Sequence, residues 1–199
     1  MRKLEREFYC QSSIRLAQEL LGKILVHNGN GDKISGRIVE VEAYMGMEDK
    51  AAHSYAGKRT KRTEVMYGIP GILYVFSIYG MYSCVNVVAG EVEIPQAVLI
   101  RAIEPIDGLN QMALNRYKKI YEFLSKKERV NLANGPGKLC IAMGIDKSAN
   151  GADLCGDVFF LEDDDCSPEI VSSKRIGIDY AEEAVDFPWR FQSKSYSPR

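Results

Sequence analysis

Two glutamates, Glu40 and Glu42, stand in the stretch RIVEVEAY (37–44), which otherwise has the β-branched, apolar character of a strand. Because side chains alternate along a strand, Ile38, Glu40, Glu42 and Tyr44 are expected on one face, with the two carboxylates roughly 6.5–7 Å apart. Buried carboxylates are costly unless they are paired or hydrogen-bonded. Two interpretations stay open: two ordinary surface glutamates, or a carboxylate aimed at a substrate.

Aromatic side chains are concentrated in GILYVFSIYGMYSCVNVVA (71–89), which is typical of a hairpin with Tyr79 and Gly80 near its tip. Tyr74 and Phe76 share a face, where they form either part of a core or a stacking platform. An aromatic side chain at an exposed hairpin tip suits a wedge or a stacking contact with nucleic-acid bases. A core role and an interaction role are both open for Tyr79.

Arg101 interrupts an apolar strand, VLIRAIEP. A buried arginine needs a carboxylate partner. Glu40 or Glu42 from a neighbouring strand is a candidate, and the alternative is a pairing with Glu104 or a solvent-facing position.

The net charge is −1, but its distribution along the chain is uneven. Residues 1–145 hold 20 Lys and Arg against 15 Asp and Glu (+5), and residues 146–199 hold 6 against 12 (−6). This layout permits a local phosphate-binding face, although a solvated loop or helix is the commoner origin of any one basic cluster. The basic clusters are KRTKR (58–62), RYKK (116–119) and SKKER (125–129).

Lys138 follows two glycines in NGPGKL (134–139), where a helix is expected to begin. Free backbone N–H groups at a helix start, together with a lysine, bind phosphate. The spacing is not that of a nucleotide P-loop, and a helix start without any ligand is the alternative.

Composition argues against several other classes of protein. The 199 residues, 46% hydrophobic, fit one globular domain over 1–199 with a buried core. No apolar run of about 18 residues is present, and the N-terminus lacks the core of a signal peptide. An intracellular location is expected, in the cytoplasm or nucleoid of a bacterium or the nucleus of a eukaryote. Five scattered cysteines and two histidines argue against a Cys/His metal site, and no cofactor is expected.

Hairpins and helices are expected to position these residues. The predicted strands and hairpins cover 23–44, 71–89, 96–105, 157–161 and 174–179, and Pro105 is expected to end its strand. The predicted helices cover 13–21, 107–125 and 138–144. The first is expected to be capped, with Ser12 and Ser13 at its start and Gly22 after it, and the second is expected to be capped by Asp107. The polar residues 45–68 are expected to form a functional loop. Because βαβ alternation is absent, the pattern indicates an α+β fold with a largely antiparallel sheet.

Five ordered stretches resemble a known family, the alkyladenine (3-methyladenine) DNA glycosylases. They are GRIVEVEAYMGMEDKAAHS, PGILYVFSIYGMYSCVN, VLIRAIEPIDG, NGPGKLC, and RIGI followed by PWRF. The resemblance covers most of the chain and implies a single DNA glycosylase domain. In that domain a curved, largely antiparallel sheet with surrounding helices carries a protruding β-hairpin. The C-terminal QSKSYSPR departs from the usual tail of the family.

The resemblance also implies roles for individual residues. Glu42 matches the general base that positions a water, and Arg101 matches the arginine that helps to hold it. Glu40 matches no chemical role and is expected to be a hydrogen-bonded structural carboxylate. The residues that match the base pocket are Tyr44, His53, Phe76 (tyrosine in many relatives) and the purine-selecting Asn86. The residues expected to contact DNA are Tyr79, in place of the flipped nucleotide, Met81 and Lys138.

The implied activity is that of a monomeric, monofunctional glycosylase acting on damaged double-stranded DNA, with no membrane partner. An N-alkylated purine is electron-poor, so a carboxylate and a positioned water suffice to break its glycosidic bond. The enzyme must flip the base to reach that bond, and no lysine stands beside Glu42 for a Schiff base. Two alternatives stay open. One is a sugar hydrolase using Glu40 and Glu42 at the inverting separation of roughly 6.5–9.5 Å; the other is a non-catalytic nucleic-acid-binding module.

Overall fold

The computed structural model describes residues 1–29, 32–78 and 80–196. These residues form a single α+β domain with nine strands and five α-helices, which confirms the predicted fold class. The strands are β1 (Arg2–Lys3), β2 (Ile24–Gly29), β3 (Asp32–Tyr44), β4 (Leu73–Ile78), β5 (Tyr82–Ala89), β6 (Gln96–Asp107), β7 (Phe159–Asp163), β8 (Ile170–Ser173) and β9 (Arg190–Ser193). The helices are α1 (Arg6–Tyr9), α2 (Ser13–Leu20), α3 (Leu109–Tyr117), α4 (Lys126–Val130) and α5 (Pro136–Met143).

One sheet contains all nine strands, in the order β1-β7-β2-β3-β6-β5-β4, with β9 pairing with both β3 and β8. Every pairing between these described strands is antiparallel. The two predicted hairpins are confirmed as β2–β3 and β4–β5. The long strands β3 and β6 lie at the centre of the sheet, so the two glutamates and Arg101 are on adjacent strands.

Helices cover one face of this sheet. The main hydrophobic core contains Leu16 from α2, Met112 from α3 and Leu139 from α5, together with side chains such as Val85 and Ile100 from the strands. All five side chains are fully buried, and each contributes about 1.5–3 kcal/mol to stability. The opposite face of the central strands is therefore free to carry polar side chains. Within the described part of the chain, no helix is long and apolar enough to cross a membrane.

A pair of β-bulges interrupts the register between β3 and β6. Ile38 lies opposite Ile103 and Val41 lies opposite Ile100, with irregular pairing around Glu40 between them. Ile38 and Val41 both pack in the main core. The prediction that Ile38 shares a face with the glutamates is therefore wrong, because the extra residue of a bulge reverses the alternation.

The strand predictions need three corrections. Pro105 does not end its strand, because β6 continues to Asp107. The pairing with β3 is irregular there, since Gly36 lies opposite Pro105 and Ser35 opposite Asp107, with Ile106 unpaired. Such an irregularity tolerates a proline, which has no backbone N–H. The strand predicted over 157–161 is shifted to 159–163. Residues 174–179 form no strand, because β8 ends at Ser173 and Gly177 has a φ of +74°.

The helix predicted over 107–125 is shorter than expected, because α3 covers only Leu109–Tyr117. A 3₁₀ helix follows at Tyr121–Phe123. Asp107 does not cap α3, because its carboxylate accepts a hydrogen bond from Oγ of Ser35 at 2.7 Å. The helix ends at Tyr117, where Lys118 adopts a φ of +58°. Ser125 instead caps α4 in a capping box with Glu128. The helices predicted over 13–21 and 138–144 are confirmed as α2 and α5, the latter beginning two residues earlier.

Candidate active site

One cross-strand row runs across the uncovered face of the sheet. Glu42 lies opposite Leu99, Leu99 opposite Asn86, and Asn86 opposite Tyr74. Residues directly opposite each other in a sheet point to the same face. Leu99, Asn86 and Tyr74 line a cavity of about 460 Å³, and Glu42 is fully buried at the end of the row. The alternative of two surface glutamates is therefore wrong.

Two irregular segments form walls of the cavity. The polar loop 45–68 contributes His53, Arg62 and Met66 among others. The segment 176–180 contributes Ile176, Gly177, Ile178 and Tyr180. A mostly apolar cavity with a few converging polar groups is typical of a ligand site. In the described ranges, no group of three or more His, Cys, Asp and Glu side chains is placed to hold a metal ion.

Three donors surround the Glu42 carboxylate. The backbone N–H of Ile176 donates to Oε1 at 2.8 Å, and Nη1 of Arg101 lies 3.3 Å from the same oxygen. The Tyr44 hydroxyl donates to Oε2 at 2.9 Å. A carboxylate has about four acceptor positions. The three donors therefore hold the Glu42 carboxylate in place and leave one of its acceptor positions unfilled. Burial, followed by the charge of Glu42, raises the pKa of Tyr44 well above its usual value, so the phenol stays a donor.

Arg101 joins the two glutamates. Its Nε donates to Oε1 of Glu40 at 2.9 Å, and Nε of Arg190 donates to the same oxygen at 2.7 Å. Burial by itself lowers the pKa of Arg101, but Glu42 and Glu40 raise it above the ordinary value. The predicted carboxylate partner of Arg101 is confirmed, as is the hydrogen-bonded state of Glu40. The alternative that placed Arg101 against Glu104 or in solvent is wrong.

His53 is held as a neutral ring at the cavity wall. Its Nδ1 lies 2.9 Å from the Tyr74 hydroxyl and its Nε2 lies 3.1 Å from Nη2 of Arg62. Because arginine only donates, Nε2 accepts and Nδ1 carries the proton. Burial, then the charges of Arg62 and Lys58, lower the pKa of His53 from 6.5 to about 4. The ring of Phe76 packs edge-on against His53, with centroids 4.6 Å apart.

The structure brings together the four residues to which the resemblance gives a base-binding role. All four residues line the cavity: Tyr44, His53, Phe76 and Asn86. The amide Nδ2 of Asn86 donates to the Tyr74 carbonyl at 3.0 Å, which fixes its orientation.

Sequence reasoning missed the site contacts of Arg62 and Ile176, and it left Tyr74 open between a core role and a stacking platform. The signals were present but not specific: Tyr74 shares a face with Phe76, Arg62 belongs to the basic cluster 58–62, and Ile176 belongs to the RIGI motif.

The residues expected to contact DNA lie outside the cavity wall or outside the described residues. Met81 is 75% exposed in the β4–β5 hairpin. Nζ of Lys138 donates to Oδ1 of Asn131 at 2.6 Å and to Oδ1 of Asn134 at 3.0 Å, both neutral acceptors. The predicted wedge, Tyr79, lies outside the residues that the structure describes. Pro136, at the start of α5, lines the cavity, so this helix begins beside the site.

A family model, "Methylpurine-DNA glycosylase (MPG)", matches residues 7–197. Three relatives, each named "Putative 3-methyladenine DNA glycosylase", match nearly their whole length. The relative from Desulfitobacterium hafniense (strain Y51) is 60% identical over 192 residues, which cover 96% of this chain and 95% of the relative. The relative from Alkaliphilus oremlandii (strain OhILAs) is 56% identical over 193 residues, with 96% of each chain covered. The relative from Clostridium novyi (strain NT) is 54% identical over 194 residues, covering 98% of this chain and 96% of the relative.

These matches confirm the predicted family and enzyme class, and they set aside both the sugar hydrolase and the non-catalytic binding module. The chain belongs to the methylpurine-DNA glycosylase family and is a DNA repair glycosylase.

Proposed function

We propose that this enzyme flips an alkylated or deaminated purine out of duplex DNA and hydrolyses its N-glycosidic bond with a water activated by Glu42. The observation that carries the proposal is the buried carboxylate held by three donors beneath an aromatic cavity. A water bound to the remaining acceptor position of Glu42 is the nucleophile. Arg101 holds the carboxylate in place while the reaction leaves an abasic site.

The electron balance of this step is simple. The water oxygen forms a bond to C1′ of the deoxyribose, and the C1′–N bond breaks with its electron pair leaving on the purine. The water proton passes to Glu42, whose negative charge also stabilises the developing oxocarbenium character of the sugar. An N-alkylated purine such as 3-methyladenine starts with a positive charge and therefore leaves as a neutral base. A deaminated purine starts neutral, so it leaves as an anion that takes up a proton from solvent. Among the described residues no lysine lines the cavity, which supports hydrolysis without a Schiff base.

The cavity volume of about 460 Å³ is in the usual range for small ligands and suits a single purine base. Tyr44, His53 and Phe76 supply aromatic faces or edges for the base, and Asn86 supplies an oriented amide that selects purines. The low pKa of His53 supports this role, because a neutral ring does not repel a cationic alkylated purine.

The DNA itself is proposed to lie against the β4–β5 hairpin. Exposed Met81 supports this placement, since apolar side chains at such a tip separate stacked bases. The wedge role of Tyr79 rests on the sequence alone. Lys138 is proposed to contact a phosphate, because its two amide partners leave its positive charge uncancelled.

The enzyme is proposed to act inside the cell as a monomer without a cofactor.

The test is base release from duplexes carrying 3-methyladenine, 7-methylguanine, hypoxanthine or ethenoadenine. We expect native protein to release at least one of these bases. Glu42→Gln should still bind the lesion duplex while base release falls roughly 10²–10⁴-fold, the usual contribution of a general base. Glu48→Gln, at an exposed position near the same strand, is the matched control and should keep the native rate. Release by Glu42→Gln at a rate close to that of native protein contradicts the role of Glu42.

A further inference from the structure

Arg175 and Asp49 form an ion pair in which both side chains are fully buried. Nη2 of Arg175 donates to Oδ1 of Asp49 at 2.8 Å, and Nη1 donates to Oδ2 at 2.5 Å. Neither residue lines the cavity. A buried ion pair contributes little net stability, because the cost of removing both charges from water offsets their attraction. The bidentate hydrogen bonding between Arg175 and Asp49 does, however, fix the geometry of the two segments that the pair joins.

The guanidinium of Arg175 contacts β3 and the C-terminal part of the chain at once. Nη1 also donates to the Ala43 carbonyl in β3 at 2.9 Å, and Nη2 donates to the Ala184 carbonyl at 3.3 Å. The guanidinium carbon lies 4.8 Å from the ring centroid of Tyr44 and 5.0 Å from that of Trp189. Arg175 therefore supports the Tyr44 ring by a cation–π contact.

Asp49 anchors the loop that leads from β3 to His53. Oδ2 of Asp49 accepts from the backbone N–H of Met45 at 3.1 Å, and Oδ1 accepts from that of Ala51 at 3.0 Å. The Asp49 carboxylate thus binds both Arg175 and the backbone at the start of the loop that forms the cavity wall.

Two of the three donors to Glu42 stand next to these contacts. The residue that follows Arg175 is Ile176, whose N–H donates to Oε1 of Glu42, and Tyr44, under the guanidinium, donates to Oε2. The next residue, Gly177, has a φ of +74°, a backbone conformation that disfavours residues with a Cβ. A shift of Arg175 is therefore expected to move both the Ile176 N–H and the Tyr44 hydroxyl relative to Glu42.

We propose that Arg175, held by Asp49, is a positioning residue that sets the two donors, Ile176 N–H and Tyr44 hydroxyl, which orient Glu42 for base release. This inference rests on the proposed function of Glu42. Arg175 lines no part of the cavity, so it acts on the rate through Tyr44 and the Ile176 N–H, the two donors that hold the Glu42 carboxylate. The consequence is a loss of rate that is larger than the loss of lesion binding.

The experiment compares Asp49→Asn, Arg175→Lys and Arg175→Met with native protein. Single-turnover base release with enzyme in excess gives the rate, and titration of the same lesion duplex gives its Kd. Asp49→Asn should lower the rate roughly ten- to hundredfold, as for a misplaced catalytic group, with a much smaller change in Kd. Arg175→Lys keeps the positive charge but lacks the planar guanidinium that makes two hydrogen bonds to one carboxylate. It should retain more of the rate than Arg175→Met does.

A second bidentate pair supplies the matched control. Arg37 in β3 binds Asp164 through Nη1 at 2.9 Å and Nη2 at 2.6 Å, and neither residue lines the cavity. Asp164→Asn should lower the denaturation midpoint without lowering the rate of the folded enzyme. The N–H signal of Ile176 in a ¹⁵N–¹H spectrum is the direct readout of its hydrogen bond. It should shift in Asp49→Asn and Glu42→Gln, and stay in place in Asp164→Asn.

The inference is overturned if folded Asp49→Asn and Arg175→Lys release the base at the native rate, or if rate and affinity fall by the same factor. Should Arg175→Met fail to fold, the isosteric Asp49→Asn carries the test. The two proposals fail in different ways. A native rate in Glu42→Gln contradicts the proposed function, whereas an inactive Glu42→Gln beside a fully active Asp49→Asn contradicts only the positioning role.

Discussion

Arg101 donates from Nε to Oε1 of Glu40 at 2.9 Å, and the same guanidinium brings Nη1 to 3.3 Å from Glu42. The two glutamates of β3 thus have different surroundings although they are two residues apart. Glu40 contacts two arginines, Arg101 and Arg190, whereas Glu42 contacts one arginine, a phenol and a backbone N–H. Glu40 is suited to holding Arg101 in position, and Glu42 keeps an acceptor position for a water.

Glu40→Gln should destabilise the protein more than it impairs base release. The change removes the negative charge that the two partly buried guanidinium groups of Arg101 and Arg190 share. Hydrogen bonds to charged groups contribute about 1.5–3 kcal/mol. We expect the free energy of unfolding, from urea titration, to fall by about 2 kcal/mol. Glu48→Gln, at an exposed position, should change it by less than about 0.5 kcal/mol. Equal stability of native protein and Glu40→Gln would count against a structural role for Glu40.

His53 should make the stability of the protein depend on pH between about 6.5 and 4. In the unfolded chain its pKa is near 6.5, whereas burial and then Arg62 and Lys58 lower the folded pKa to about 4. Below pH 6.5 the unfolded chain binds a proton that the folded chain does not, so stability falls as the pH falls. The loss should be at most about 1 kcal/mol per pH unit, allowing for solvent screening. Urea midpoints of native protein and His53→Gln at pH 7 and pH 5 measure it.

The control for this prediction is Arg62→Ala, because the charge of Arg62 is one cause of the lowered pKa. NMR titration of the His53 ring should give a midpoint near pH 4 in native protein and a higher midpoint in Arg62→Ala. A midpoint near 6.5 in native protein, or no pH-dependent difference between native protein and His53→Gln, shows that the ring is not held neutral.

Phe76→Ala should weaken the binding of lesion duplex much more than that of undamaged duplex. The ring packs against His53 and lies 4.7 Å from the guanidinium carbon of Arg62, so it completes the aromatic wall. Stacking of a base on an aromatic side chain contributes about 1–3 kcal/mol, which corresponds to a roughly 5- to 150-fold higher Kd. Phe76→Tyr keeps the π-face and should bind within a few-fold of native protein. Equal lesion affinity in Phe76→Ala would place the flipped base elsewhere.

Lys138→Gln should reduce the salt dependence of DNA binding. One phosphate contact contributes about 0.9 to the slope of log K against log salt concentration, and we expect the slope to fall by that amount. Lys23→Gln is the control, because Nζ of Lys23 lies 2.7 Å from Asp163 and its charge is already paired. Binding isotherms on one lesion duplex at several salt concentrations give both slopes. An unchanged slope in Lys138→Gln means that this lysine contacts no phosphate.

The sequence by itself determined the features that depend on local pattern. The Asn/Gly-rich turn in 23–44 predicted the first hairpin, and the aromatic stretch 71–89 with Tyr79 and Gly80 near its tip predicted the second. The helix signal after Ser12 and Ser13 predicted α2. An arginine in an apolar strand needs a carboxylate, and the glutamates of the adjacent strand supplied it. These predictions succeeded because each rests on residues that are close along the chain or on one strongly constrained charge.

Only the tertiary structure decided how the site is completed. The bulges beside Glu40 moved Ile38 to the core face. Residues 174–179, predicted as a strand, instead give Glu42 its backbone donor. The bonds from Ile176 to Glu42 and from Arg175 to Asp49 span 134 and 126 residues of chain. No periodicity or turn signal reports contacts over such separations, because they form only when the folded sheet brings distant segments together.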